Sequence, residues 1–196
     1  MTSMNAQPSR EMTIAEWAAL DEDEPGELVD GVLVEDEMPD SIHEVVVTWF
    51  VHVLGTWLGG RGFVLGSEAK FKVRPRRGRK PDVSVYLPGR KPEPRGAITR
   101  PPDIMIEVVN PTPRDGGRDR VEKVEDYAAF GVRMYWIVDP ELRTLEVLEL
   151  GADGRYAHAL GASHARDVSP PGCAGLVLDL TALWAEVDRL LEGEDP

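Results

Sequence analysis

Cysteine is nearly absent: the 196 residues contain one, Cys173. This excludes an internal disulfide framework and a zinc site built from several thiolates. Long apolar runs are missing as well. None approaches the roughly 20 residues of a membrane-spanning helix, and the opening MTSMNAQPSREM has no secretory-type apolar stretch. The expectation is therefore a cytoplasmic protein with no membrane partner. Three catalytic signatures are also lacking: the G-x-S-x-G elbow, the G-x-x-x-x-G-K-[ST] phosphate loop and the H-E-x-x-H helix. Ser163 and His164 are mere chain neighbours, and adjacent side chains rarely point at each other.

Positive charge is in deficit, with 22 Lys and Arg against 35 Asp and Glu and a net charge of −13. At first sight this argues against a nucleic-acid partner. The cations are unevenly placed, however. The stretch KFKVRPRRGRK at 70–80 carries Lys70, Lys72, Arg74, Arg76, Arg77, Arg79 and Lys80 with no acidic residue. Residues 21–40 hold Asp21, Glu22, Asp23, Glu24, Glu27, Asp30, Glu35, Asp36, Glu37 and Asp40. Clustering matters because screening limits the reach of a charge to about 8–10 Å at physiological salt. Two readings stand: a basic β-hairpin solvated or paired with the acidic segment, or a phosphate-binding strand.

A hydrophobic content of 42% and a charged content of 29% describe an ordinary globular chain. The length suits one domain over 13–192 after a lead-in of 1–12. Thr13 with Glu16 has the spacing of a capping box before Trp17. ELVDGVLVED predicts a hairpin turning at Asp30-Gly31. Residues 41–58 carry Val45, Val46, Trp49, Val53 and Trp57 at helical spacing, ended by GGRG. FVLG, EAKFKVRP, PDVSVYL and DIMIEVVN read as strands, and the five prolines of 88–102 demand a loop. A helix is expected from 115 or 116 to Phe130 with Gly131 closing it, then the strands MYWIVDP and TLEVLEL, turned at Pro140. An irregular stretch containing His158 leads to a last amphipathic helix at 180–191. The fold class is α/β (α+β), a central mixed sheet flanked by helices.

Alternation along PDVSVYL places Val83, Val85 and Leu87 on one face and Asp82, Ser84 and Tyr86 on the other. In DIMIEVVN, Ile104, Ile106 and Val108 share a face, and Glu107 lies on the opposite one between Met105 and Val109. A carboxylate within an apolar strand is costly to bury without a metal, a cation or several donors. On neighbouring strands, Asp82 and Glu107 come together, and two adjacent carboxylates require a divalent cation or a shared proton. Magnesium suits such a site. Lys123, on the following helix with Tyr127 four residues on, could add positive charge. The plainer alternatives are a turn-capping Asp82 and a structural Glu107–Lys123 ion pair.

PD at 81–82, E-x-V at 107–109, Lys123-x-x-x-Tyr127 and GVRMYWIVDP at 131–140 together resemble the Uma-two family of restriction endonucleases, within the PD-(D/E)XK superfamily. The resemblance spans roughly 13–150. It implies a restriction-endonuclease-like core, Mg or Mn at Asp82 and Glu107, Lys123 as a further catalytic residue, and DNA as substrate. Val109 stands where the superfamily pattern has lysine, which turns attention to Lys123 on the next helix. Glu27, His43, Glu68 and Tyr127 are second-rank candidates. A homodimer would supply two sites for two strands, with the terminal helix packing across the two-fold. The rival expectation is a non-catalytic nucleic-acid-binding module on the same fold.

Overall fold

The computed structural model describes residues 11–21, 26–34, 39–110 and 118–192. α1 (Ile14–Ala18) begins at Thr13, whose hydroxyl accepts from Glu16 N while the Glu16 carboxylate accepts from Thr13 N. β1 (Glu27–Val29) and β2 (Val32–Val34) form a hairpin through Asp30 and Gly31, with φ of 52° and 85°. Positive φ at both central residues is what a type I′ turn requires. α2 (Ser41–Leu58) is capped by the Asp40 side chain on His43 N and ends at left-handed Gly59.

The other strands are β3 (Phe63–Leu65), β4 (Phe71–Arg74), β5 (Arg77–Arg79), β6 (Val83–Tyr86), β7 (Ile104–Val108), β8 (Met134–Asp139), β9 (Thr144–Leu150) and β10 (Tyr156–Ser163). They build two sheets. The larger has the order β10-β9-β8-β7-β6-β3, and the smaller β2-β1-β5-β4. All pairs are antiparallel except β7 with β8. A parallel pair needs a crossover, and here it contains one wide, π-type turn (Arg118–Glu122) leading into α3 (Lys123–Phe130). α4 (Leu180–Leu191) closes the described chain.

The central strands of the large sheet, β6, β7 and β8, are buried on both faces. Val83, Val85, Ile104, Ile106 and Val108 join one cluster with Val46, Phe50 and Leu54 of α2 and Leu183, Trp184 and Val187 of α4. Tyr86, Met105, Val109, Tyr135 and Ile137 join the other with Phe71 and Val73 of the small sheet and Tyr127 of α3. Glu107 therefore points into a region packed by α3 and the small sheet. α2 is long and apolar enough to cross a membrane by length and composition. In this fold its buried residues, Val46, Val47, Phe50, Leu54 and Leu58, pack against the sheet.

Three expectations are corrected, and a fourth falls partly outside the described residues. Besides the central mixed sheet there is a second, smaller sheet, because the Asp30-Gly31 and basic hairpins pair with each other through Leu28 and Gly78. His158 lies in β10 and not in an irregular stretch; β10 is an edge strand of small, largely exposed residues, stabilised by the β9 ladder more than by its own pattern. The crossover helix opens with the wide turn, and the expected start at 115 or 116 lies outside the described residues. α4 buries Leu180, Leu183, Trp184 and Val187 within its own chain, leaving Leu190 and Leu191 as its exposed large apolar side chains.

Candidate functional site

Val83 pairs with Ile106 across β6 and β7, so the next antiparallel step sets Asp82 opposite Glu107. The Asp82 Oδ2 accepts from Val108 N at 2.7 Å and lies 3.2 Å from His43 Nε2. Asp82 thus ties β6 to β7 and the start of α2 instead of capping a local turn. Glu107 is 2% exposed. Lys123 Nζ donates to its Oε2 at 2.8 Å, and the Tyr127 hydroxyl donates to its Oε1.

Lys123 carries more than one carboxylate. Asp119 Oδ1 lies 3.0 Å from Nζ, one turn before it, and Glu27 Oε1 lies 3.9 Å away. Arg79 bridges Glu27 to Asp126 of α3 at 2.7 Å on each side, and all three are buried. Glu27 is thereby fixed between Arg79, Lys123 and the Lys80 main-chain N–H. Asp119 and Asp126 escaped the sequence reading. Asp119 has the i, i+4 spacing to Lys123 as its one local signal, whereas Asp126 acts through residues of the other hairpin and has none.

The electrostatics follow from crowding four carboxylates around one ammonium. Burial pushes the Glu107 carboxyl well above the usual carboxylate range; Lys123 works against this, while Asp82, Asp119 and Glu27 add to it. Asp119 is likewise raised by burial, against the pull of Lys123. Burial presses the Lys123 amine down, but Asp119, Glu107, Glu27 and Asp82 outweigh it and hold the amine well above its usual value. Glu27 is opposed by burial and still lowered, by Lys123 and Arg79. Burial presses His43 down too, and its hydrogen bond to Asp82 and the Asp82 charge leave it raised.

Asp82 and Glu107 are the residues that could hold a hard cation. Among the described residues no group of three or more His, Cys, Asp or Glu side chains is arranged to hold a metal ion alone. An ion here would complete its shell with water and main-chain oxygen, as magnesium does. The donor set fits on chemistry: the side chains offer oxygen alone, and Glu107, raised chiefly by burial, has the further carboxylates Asp82, Asp119 and Glu27 around it.

The basic hairpin is largely engaged within the chain. Lys70 donates to Trp17 O and Leu20 O, and Arg74 pairs with Asp126. Arg76 holds Asp30 O and Glu11, and Arg77 holds Asp30 and Asp126. Lys80 pairs with exposed Glu68 at 2.8 Å, which accounts for Glu68. Lys72 is exposed. Arg79 is removed from the set of phosphate-facing residues because its side chain is fully buried. Of the arginines ahead of Lys123, Arg114 and the Arg118 side chain lie outside the described residues, and Arg120 pairs with Asp139.

The Uma2 family model, described as "Putative restriction endonuclease", matches residues 13–181. Among solved structures the chain is similar to a "putative nuclease belonging to DUF820" from Anabaena variabilis, at 20% identity and a TM-score of 0.69, covering 89% of this chain and 98% of that one. At that identity the likeness concerns the fold. No curated protein matches. The family match extends from the Thr13 cap through both carboxylate strands, Lys123 and Tyr127 to the start of α4, and the chain belongs to the Uma2 family.

Proposed function

We propose that this chain is a cytoplasmic endonuclease that hydrolyses DNA phosphodiester bonds with magnesium or manganese held by Asp82 and Glu107. One relationship carries the reading: Asp82 directly precedes and Glu107 directly follows the paired Val83 and Ile106, and Lys123 Nζ stands 2.8 Å from Glu107. Asp82 and Glu107 would hold the ion, which would supply Lewis-acid polarisation of the phosphate and a more acidic water. The chain's own groups do the rest. Lys123, kept protonated by its carboxylates, supplies fixed positive charge beside the reacting phosphate and is unsuited to be a base. Tyr127 and Lys123 together fix the Glu107 rotamer. Lys70, Lys72, Arg74, Arg76, Arg77 and Lys80 would meet the DNA backbone, with Arg74, Arg76, Arg77 and Lys80 exchanging carboxylate for phosphate. Cutting both strands would take two copies.

A second reading, a binding module without catalysis, is favoured by the occupation of both Glu107 oxygens by Lys123 and Tyr127. Calorimetric titration with Mg²⁺ and Mn²⁺ tests the first. Wild type is expected to bind, and Asp82→Ala and Glu107→Ala are expected to lose binding. Metal binding unchanged in both variants would remove the site. Plasmid nicking by wild type but not by Lys123→Ala then separates a catalyst from a DNA-binding scaffold.

A further inference from the structure

The large sheet ends at β3, and this edge carries a cationic hollow that the Asp82–Glu107 centre leaves unused. Arg61, Phe63, Tyr86, Arg90, Lys91 and Arg100 line a volume of about 490 Å³, and its lining includes no acidic side chain. Separate segments deliver these groups. Arg61 follows α2, Phe63 and Tyr86 face each other across β3 and β6, and the other three cations come from the proline-rich loop.

The charges there are only partly neutralised. Arg90 is matched by Asp103 at 2.6 Å, and Arg100 faces Glu93 at 3.6 Å. The Arg61 guanidinium donates to the main-chain carbonyls of Leu58 and Trp57 and pairs with no carboxylate among the described residues. Lys91 makes no ion pair among the described residues and is exposed. Beside these two cations, Phe63 leaves 49% of its surface in water. An exposed ring next to spare positive charge matches a ligand with a flat aromatic body and a phosphate. Aromatic stacking plus a cationic track is the general means of holding unpaired bases.

We infer that this hollow is a second nucleotide-binding site, taking an unpaired base on Phe63 and its phosphate on Arg61 and Lys91. The ligand is a free nucleotide or one unit of a single strand. The site goes beyond the metal-centre reading and does not depend on it: Tyr86 lies four residue steps along the chain from Asp82, about 13 Å at strand spacing. Asp82, Ser84 and Tyr86 alternate onto one face of that strand, and Phe63, opposite Tyr86, shares it.

The test is fluorescence anisotropy with labelled oligothymidylate in EDTA, where no metal centre contributes. Thymidine monophosphate and inorganic phosphate serve as competitors. Wild type is expected to bind, more weakly as salt rises. Phe63→Ala and Lys91→Glu should each weaken binding about tenfold, with unchanged melting temperatures, whereas Arg155→Glu, exposed in the β9–β10 turn at the opposite edge of the sheet, should not. Competition by the monophosphate would identify a site for free nucleotides; its failure to compete would assign the site to a strand. Absence of binding, equal binding by wild type and both variants, or inorganic phosphate competing as well as the nucleotide would overturn the inference. Because EDTA is present throughout, none of these results bears on metal binding at Asp82 and Glu107.

Discussion

Lys123 Nζ lies 2.8 Å from Glu107 Oε2 and 3.0 Å from Asp119 Oδ1. One ammonium on the crossover helix is thus shared between a strand carboxylate and one from its own preceding turn. In a buried setting, this makes the protonation of the whole group respond to any change in one member.

Glu107 gives the first prediction. Its carboxyl is raised on folding, mainly by burial. The native state therefore holds this proton more tightly than the unfolded chain. Native stability is penalised as pH rises above the unfolded value near 4.5, until the native carboxyl also ionises. Glu107→Gln removes the penalty. Urea unfolding in EDTA should show the variant gaining on wild type between acid and neutral pH, with magnesium restoring wild type alone. A difference independent of pH would contradict the burial argument.

His43 responds in the opposite sense. Asp82 holds it above 6.5 against the effect of burial. A raised histidine contributes stability fully below its unfolded pKa and loses it as pH rises through the native one. NMR titration should place His43 above 6.5 and lower in Asp82→Asn. Added magnesium should lower it as well, since the ion competes for Asp82.

Arg79 is fully buried between Glu27 and Asp126, so removing it strands two carboxylates. Arg79→Met is expected to cost about 3–5 kcal/mol in urea unfolding. Arg76→Ala, on the exposed side of the same hairpin, should cost about 1 kcal/mol or less. Equal costs would refute the inward role of Arg79.

Gly78 permits α1 to dock. A Cβ placed there would come within 2.3 Å of the Trp17 ring. Gly78→Ala should destabilise by about 1–3 kcal/mol, read as a lowered melting temperature, and Trp17→Leu in the same chain should recover part of the loss.

Cys173 is 3% exposed, and burial pushes its thiol up to about 11. Ellman's reagent at pH 8 should therefore react slowly with the native protein and rapidly in urea. Fast native reaction would mean that the loop before α4 opens readily.

Local features were legible in the chain because they depend on neighbours in sequence. The Thr13–Glu16 box, the Asp30-Gly31 turn, and the bounds of α2 and α4 all follow from spacing and backbone preference. Alternation alone put Asp82 and Glu107 on the faces opposite their valines and isoleucines. Other features lay outside its reach. β10 has weak strand character and is held by β9. Arg79 looks the same as Arg76 in the sequence, yet one is buried and the other exposed.

What the sequence determined by itself is thus the strand and helix periodicity, the caps and the presence of one carboxylate just before an apolar strand and another within its neighbour. Tertiary structure decided which charges meet. Pairing of two hairpins through Leu28 and Gly78 turned Arg79 inward to Glu27 and Asp126, and the wide turn before α3 brought Asp119 to Lys123. Charge pairing between residues far apart in sequence depends on distances of a few ångströms, and those exist only once the sheets and the crossover helix have packed.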